Sequence, residues 1–175
     1  MFKKVIFLDR DGVINEEVGY LHKIEDFKFI DGIFESLNKL HGLGYQFIIV
    51  TNQSGIGRGF FSKEDYILLD SWMKKEFEKN GVKILHSVFC PHTPSENCNC
   101  RKPKPGMFEE CFKLFQISIE DSWMIGDSER DIEAAIKAGI RKNILVRSGH
   151  PICETTTKAS IVIDSIRDLA KIIKI

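Results

Sequence analysis

The sequence has no net charge, no long hydrophobic run and no internal repeat, and each absence excludes something. Its 25 basic and 25 acidic side chains cancel across 175 residues. A general nucleic-acid or anionic-membrane binder needs a basic excess, so neither partner is expected. Zero net charge still permits a local basic pocket for one small anion. Early in the chain the longest apolar run is Val5 to Leu8. That is far short of a signal-peptide core of ~7–15 residues, and no stretch approaches the ~20 residues of a membrane helix. A cytoplasmic protein is expected. With no repeat, low-complexity tract or long linker, residues 1–175 read as a single domain, within the usual ~100–200 residues. Cysteines are scarce and odd in number, at five. Three of them, Cys90, Cys98 and Cys100, crowd beside His92. In a reducing compartment such a cluster suits a metal better than disulfides.

What is present is an ordinary globular composition, 43% hydrophobic and 29% charged, arranged in alternating short apolar runs and helical periods. Val5–Leu8 and Phe47–Val50 read as buried parallel strands. Val82–Phe89, Ser122–Ile125, Asn143–Val146 and Ser160–Ile163 read as further strands. Helices are expected over Asp31–Leu43, Ser62–Asn80, Pro105–Phe115 and Glu129–Ala138. A last helix is expected after a cap at Asp164, with Ile166, Leu169, Ala170 and Ile173 on one face. Ser62, with Asp65 three residues on, forms a capping signature. This alternation predicts an α/β fold: a Rossmann-like parallel sheet with helices on both faces.

Ligands of such sheets bind beyond the carboxyl ends of the strands. Asp9, Asp11, Thr51, Asn52 and Asp127 all stand just past apolar strand runs, and Asp131 follows Asp127 by four positions. A lone Asp after a strand is usually a cap or turn former. Three strands delivering carboxylates and a hydroxyl to one rim is another matter, because crowded carboxylates repel unless a cation neutralises them. Asp9 and Asp11, two apart in extended chain, point to the same side. One can serve as a nucleophile toward phosphorus and the other as a proton donor. Mg²⁺ suits one or two carboxylates plus a substrate phosphate, with Asp9 and Asp127 the natural pair. Thr51 and a cation from Arg101–Lys102–Pro103–Lys104 would steady the phosphoryl oxygens. Spacing does not rank Lys102 against Lys104.

Four segments then carry a family resemblance. Phe7-Leu8-Asp9-Arg10-Asp11-Gly12-Val13-Ile14-Asn15, Val50-Thr51-Asn52-Gln53-Ser54-Gly55, Lys102, and Gly126-Asp127 with Asp131 resemble, in order, the motifs of the haloacid dehalogenase-like phosphatases. The resemblance implies Asp9 as nucleophile, Asp11 as general acid and then base, and Thr51 and Lys102 as phosphoryl stabilisers. It implies Mg²⁺ held by Asp9, the Asp11 carbonyl and Asp127, with Asp131 orienting Lys102 or a metal-bound water. Within that superfamily, Gln53–Gly59 and Cys98–Met107 look like the heptose 1,7-bisphosphate 7-phosphatases, which serve nucleotide-heptose synthesis for lipopolysaccharide and related glycans. Histidinol-phosphate phosphatases are close relatives. Substrate contacts carried over from the heptose family are Glu17, Val18, Gly19, Tyr20, Asn52, Gln53, Ser54 and Arg101. That family often has a basic residue after the metal aspartate; Ser128 occupies the position here.

Three thiolates and one imidazole, Cys90, His92, Cys98 and Cys100, form the donor set of a closed tetrahedral zinc site. The heptose phosphatases carry the same Cys-x-His and Cys-x-Cys arrangement. Four protein ligands leave no open position, so this Zn²⁺ is expected to be structural and to fix the loop leading to Arg101 and Lys102. Cys111 reads as core. Gly55, Gly57 and Gly59 read as a flexible loop, with Arg58 a possible sugar contact. His22, His41, His86 and His150 read as structural or solvated. The intervals between motifs leave no room for a large cap domain, so an open site on a monomer, taking a phosphorylated sugar, is expected. A phospho-accepting signalling domain shares the strand-end aspartates but lacks the Asp9/Asp11 pairing beside a zinc loop. A zinc-stabilised binding module leaves those aspartates unexplained.

Overall fold

A computed structural model describes residues 2–174. Its strands are β1 (Lys4–Leu8), β2 (Tyr45–Asn52), β3 (Ile84–Cys90), β4 (Trp123–Gly126), β5 (Lys142–Val146) and β6 (Ile161–Ile163). They form one sheet in the order β3-β2-β1-β4-β5-β6, and every neighbouring pair is parallel. The helices are α1 (Ile33–Gly42), α2 (Ser54–Gly57), α3 (Lys63–Lys79), α4 (Gly106–Leu114), α5 (Glu129–Lys137) and α6 (Leu169–Ile172). No helix among the described residues is long and apolar enough to cross a membrane.

Strand alternation divides the core between the two sheet faces. Ile6, Leu8, Phe47 and Ile49 pack with Ile33, Leu37 and Leu40 of α1 and with Leu69, Met73 and Phe77 of α3. Val5, Phe7, Ile48 and Val50 pack on the other face with Met107, Phe108 and Cys111 of α4 and with Ala134 and Ala135 of α5. Both faces of β1 and β2 are therefore covered, which is why these strands read as unbroken apolar runs. Each large side chain so buried contributes roughly 1.5–3 kcal/mol.

The chain builds outward from β1 through β2 to β3, then returns to the other side of β1 with β4 and continues to β6. The order reverses between β1 and β4, and a crevice opens beyond their carboxyl ends at such a point. Asp9 follows β1 there, Asp127 follows β4, and Thr51 is the penultimate residue of β2.

Two local expectations are corrected. The glycine segment is not a flexible loop: Ser54–Gly57 forms the helical turn α2. A side chain at Gly55 would collide with the Phe61 ring, and a Cβ at Gly57 would lie 2.8 Å from the Pro91 carbonyl oxygen. Those glycines permit close packing. The chain end is a 3-10 turn over Ile166–Asp168 followed by the single turn of α6, capped by Ser165, whose Oγ accepts the Arg167 N–H at 3.5 Å. Asp164 does not cap it, because its Oδ1 takes Arg147 Nη1 at 2.6 Å.

Candidate active site

Lys102 stands at the centre of the crevice. Its side chain is 2% exposed, and Nζ lies 3.0 Å from Asp9 Oδ1 and 2.7 Å from Asp131 Oδ1. Nζ also donates to the Val50 carbonyl at 2.7 Å. Desolvation disfavours the buried ammonium, but Asp131 and Asp9 outweigh it and raise its pKa. Asn52 holds the lysine's backbone from both sides: Oδ1 accepts Lys102 N–H at 3.0 Å, and Nδ2 donates to Lys102 O at 3.1 Å. Lys104 is turned away, with Nζ donating to Asn97 Oδ1 and Cys98 O at 2.8 Å each. Geometry thus separates two lysines that spacing could not.

Around Lys102 the carboxylates divide by what remains free. Asp131 is fully engaged. Its Oδ1 meets Lys102, and its Oδ2 accepts the N–H groups of Asp127 and Ser128 at 3.1 and 3.0 Å and the Ser128 hydroxyl at 3.0 Å. Ser128 and Asp131 together form the capping box of α5. Asp9 Oδ1 accepts its neighbour's N–H at 2.7 Å as well as Lys102. Asp127 Oδ2 accepts the His150 N–H at 2.9 Å and faces His150 Nδ1 at 2.6 Å. One oxygen on each of Asp9 and Asp127 is left without a hydrogen bond among the described residues.

Burial pushes Asp9 well above the usual carboxylate range, Asp131 adds to the rise, and Lys102 opposes it. Asp127 is raised by burial and by Asp131, against the pull of His150. Oxygens of Asp9, Asp127 and Asp131 all lie within 4.8 Å of one another. A single ammonium does not neutralise three buried carboxylates, and an all-oxygen donor set suits a hard divalent cation such as magnesium. Close approach around Asp127 depends on glycine: Gly12 has φ of +80°, and a Cβ there would clash with the Asp127 carboxylate and lie 2.8 Å from the Gly149 Cα.

Asp11 and Thr51 complete the inner rim. Thr51 is buried, and its Oγ1 accepts Gln53 Nε2 at 2.9 Å. The same amide donates to Asp11 Oδ2 at 3.0 Å. Asp11 Oδ1 accepts Arg10 Nη2 at 2.9 Å, Arg10 Nε at 3.2 Å and Asn15 Nδ2 at 2.9 Å.

Two connected cavities result. A pit of about 70 Å³ is lined by Asp9, Asp11, Thr51, Lys102, Asp127 and Asp131. An outer cleft of about 410 Å³ shares Asp11, Glu17, Asn52, Arg130 and His150 with it. That cleft adds Gly19, Tyr20, Gln53, Ser54, Arg58 and Arg101. Ser128 lines the pit, while Val18 lines a separate surface groove. The rim is braced by aromatic contact, Tyr20 meeting Phe60 edge-on at 4.7 Å between centroids.

The thiol cluster lies beside this site. Cys90 ends β3 and is buried, and its Sγ lies 3.5 Å from His92 Nδ1 and 3.6 Å from Cys98 Sγ. His92 Nδ1 lies 3.3 Å from Cys100 Sγ, which is 3.5 Å from Cys98 Sγ. All four donor atoms fall within 4.8 Å of one another. Burial raises the Cys90 thiol. Burial also opposes ionisation of Cys98, but hydrogen bonds from the Arg101 backbone and the neighbouring thiols bring it down to about 7. Three soft sulfurs and one imidazole at this separation fit zinc. Arg101 Nη1 donates to the His92 carbonyl at 3.2 Å, tying the loop to the cleft.

Sequence reasoning placed Asp9, Asp11, Thr51, Lys102, Asp127 and Asp131 at one end of the sheet, and the structure gathers them around one pit. It missed His150, Arg10, Asn15 and Arg130. His150 lies four residues beyond Val146, the end of β5, so the strand-end rule applied to β5 would have found it.

A family model described as HAD-hydrolase-like matches residues 99–169. A D-glycero-alpha-D-manno-heptose-1,7-bisphosphate 7-phosphatase of Photorhabdus laumondii is 46% identical, covering 98% of this chain and 97% of its own. A beta-anomer counterpart from Vibrio cholerae is 47% identical over 97% and 95%. Among solved structures, the D,D-heptose 1,7-bisphosphate phosphatase of B. bronchiseptica, complexed with magnesium and phosphate, superposes with a TM-score of 0.83. It is 28% identical, and 96% of each chain is covered. The chain therefore belongs to the heptose-1,7-bisphosphate 7-phosphatase family of the HAD-like hydrolases.

Proposed function

We propose that this protein is a Mg²⁺-dependent phosphomonoesterase that removes the C7 phosphate of D-glycero-D-manno-heptose 1,7-bisphosphate through an aspartyl-phosphate intermediate. It would serve nucleotide-heptose synthesis for lipopolysaccharide or related glycans. The observation that carries this reading is the pairing of the two cavities. The pit has the carboxylates and lysine for one phosphoryl group, and the outer cleft presents Arg58, Arg101 and Arg130 to a second anionic group. Three guanidiniums suit a phosphate better than a neutral leaving group. The names of the relatives agree with a bisphosphate.

Each residue then has a task. A carboxylate oxygen of Asp9 bonds to phosphorus while the bond from phosphorus to the C7 oxygen breaks. Asp11 passes a proton to that departing oxygen. Water next bonds to phosphorus, returns its proton to Asp11 and releases Asp9. Lys102 and the Thr51 hydroxyl steady the charge on the phosphoryl oxygens. Asp131 and Asn52 hold Lys102 in place. Magnesium, held by Asp9, Asp127 and the Asp11 carbonyl, would neutralise phosphate charge and offset the repulsion between carboxylates. Zinc on Cys90, His92, Cys98 and Cys100 would fix the loop that carries Arg101 and Lys102. The reading is of a one-domain, monomeric, cytoplasmic enzyme.

The test is phosphate release with Mg²⁺ from heptose 1,7-bisphosphate, histidinol phosphate and a simple aryl phosphate. A preference for the bisphosphate of at least about 100-fold in kcat/KM, a transition-state difference near 2.7 kcal/mol, is expected. Equal rates on all three would remove the named substrate, and preference for histidinol phosphate would replace it.

A further inference from the structure

Arg10 is the largest fully buried side chain of the protein, 1% exposed, yet the reaction as derived does not use it. It lies between the two aspartates of the β1 end. Its Nε and Nη2 both donate to one oxygen, Asp11 Oδ1, and Nη2 also donates to the Leu21 carbonyl at 2.8 Å. Its guanidinium faces the Tyr66 ring at 5.8 Å. Asn15, also buried, gives Oδ1 a third donor at 2.9 Å. Asp11 Oδ2 receives only Gln53 Nε2.

This asymmetry bears on proton transfer. An oxygen surrounded by three donors can take a proton only by giving up one of those bonds, whereas Oδ2 keeps a lone pair free. Arg10 Nη1 is buried with no hydrogen-bond partner among the described residues. Such an orphaned donor is unfavourable in a folded protein. Arg10 thus leaves one donor unused while it directs two others onto Asp11 Oδ1.

We propose that Arg10, assisted by Asn15, is a positioning residue that occupies Oδ1 of Asp11 and thereby makes Oδ2 the oxygen that exchanges the proton. The role rests on the reading of Asp11 as general acid. It acts in the first half-reaction, where the Oδ2 proton goes to the ester oxygen as the phosphorus–oxygen bond breaks. It acts again in the second, where the attacking water's proton returns to Oδ2. Lysine is not an equivalent residue, because one ammonium cannot reproduce a fork reaching both Asp11 and Leu21.

The test uses leaving groups. Arg10→Lys and Asn15→Leu, each checked for native circular dichroism, are assayed on a primary alkyl phosphate and on para-nitrophenyl phosphate, whose leaving group departs without a proton. Arg10→Lys should lose at least about tenfold more kcat on the alkyl ester, a part of the 10²–10⁴ that acid catalysis supplies, with KM nearly unchanged. Asn15→Leu should show the same split more weakly, and it decides the matter if Arg10→Lys does not fold. Equal losses on the two esters, or none, would overturn the role. Asp11→Asn is the control. If it showed no split, the general-acid reading would fall and the positioning role with it; a split in Asp11→Asn alone would overturn only the role of Arg10.

Discussion

The acidic pit and the thiol cluster sit side by side and are built in opposite ways. The pit takes Asp9, Thr51 and Asp127 from the ends of β1, β2 and β4, strands buried on both faces. Its carboxylates have partners that leave oxygens of Asp9 and Asp127 free to work. The cluster takes one ligand from the end of β3 and three from the loop that follows, and its four donor atoms lie within 4.8 Å of one another. The sheet places the first site, so its arrangement does not depend on a bound metal. The second site takes three of its four donors from a loop, so a metal bound there would add to the bonds that Asn52, Arg101 and Lys104 already give that loop. Their junction is Arg101–Lys102, where the loop delivers its cation into the pit.

Perturbing each side should separate these designs. The largest effect is expected from Asp9→Asn. Turnover should fall by at least about 10³-fold, as when a nucleophile of a catalytic unit is removed. Its urea midpoint should hold or rise, because one of three crowded carboxylates is neutralised. Next comes Asp131→Ala, which leaves the buried Lys102 ammonium short of a partner. Breaking a buried pair in this way costs about 3–5 kcal/mol, and equilibrium urea unfolding should read that loss together with a lower kcat. Cys100→Ser should act through the loop: lower zinc content by elemental analysis, and a Tm lowered by about 2–4 °C for each kcal/mol lost. Mild chelation that removes Mg²⁺ should stop turnover and lower Tm by less than Cys100→Ser does, since the pit keeps its hydrogen bonds without the metal. If both chelation and Cys100→Ser moved Tm equally, the contrast between the two sites would be lost. The smallest effect belongs to Ser62→Ala. It removes the capping box of α3, whose residues line neither cavity nor the thiol cluster, and should cost about 1 kcal/mol with kcat nearly unchanged.

The strand-end aspartates were legible because the strands are short apolar runs that stop abruptly at polar residues. The parallel sheet and its two covered faces followed from the same pattern. The thiol cluster was legible because three cysteines and a histidine fall within eleven positions. Other features depended on distant segments. Gly55 and Gly57 look like a flexible loop until Phe61 and the Pro91 carbonyl pack against them. Lys102 and Lys104 are equivalent by spacing, and partners distant in the chain, Asn52, Asp9 and Asp131, distinguish them. Nothing in the residues beside Arg10 marks it as buried, and its contacts are with Leu21 and Tyr66, further along the chain. Asp164 looks like a cap because Arg147, its actual partner, arrives from the end of β5.

The central claim is that Asp9 carries the phosphoryl group. Rapid acid quench of the Mg²⁺-loaded enzyme during turnover of heptose 1,7-bisphosphate, followed by borohydride reduction and peptide mass spectrometry, tests it directly. Reduction of the acyl phosphate should convert Asp9, and no other carboxylate, to homoserine. Full turnover with Asp9 unmodified, or conversion at Asp11 or Asp127 instead, would contradict the account.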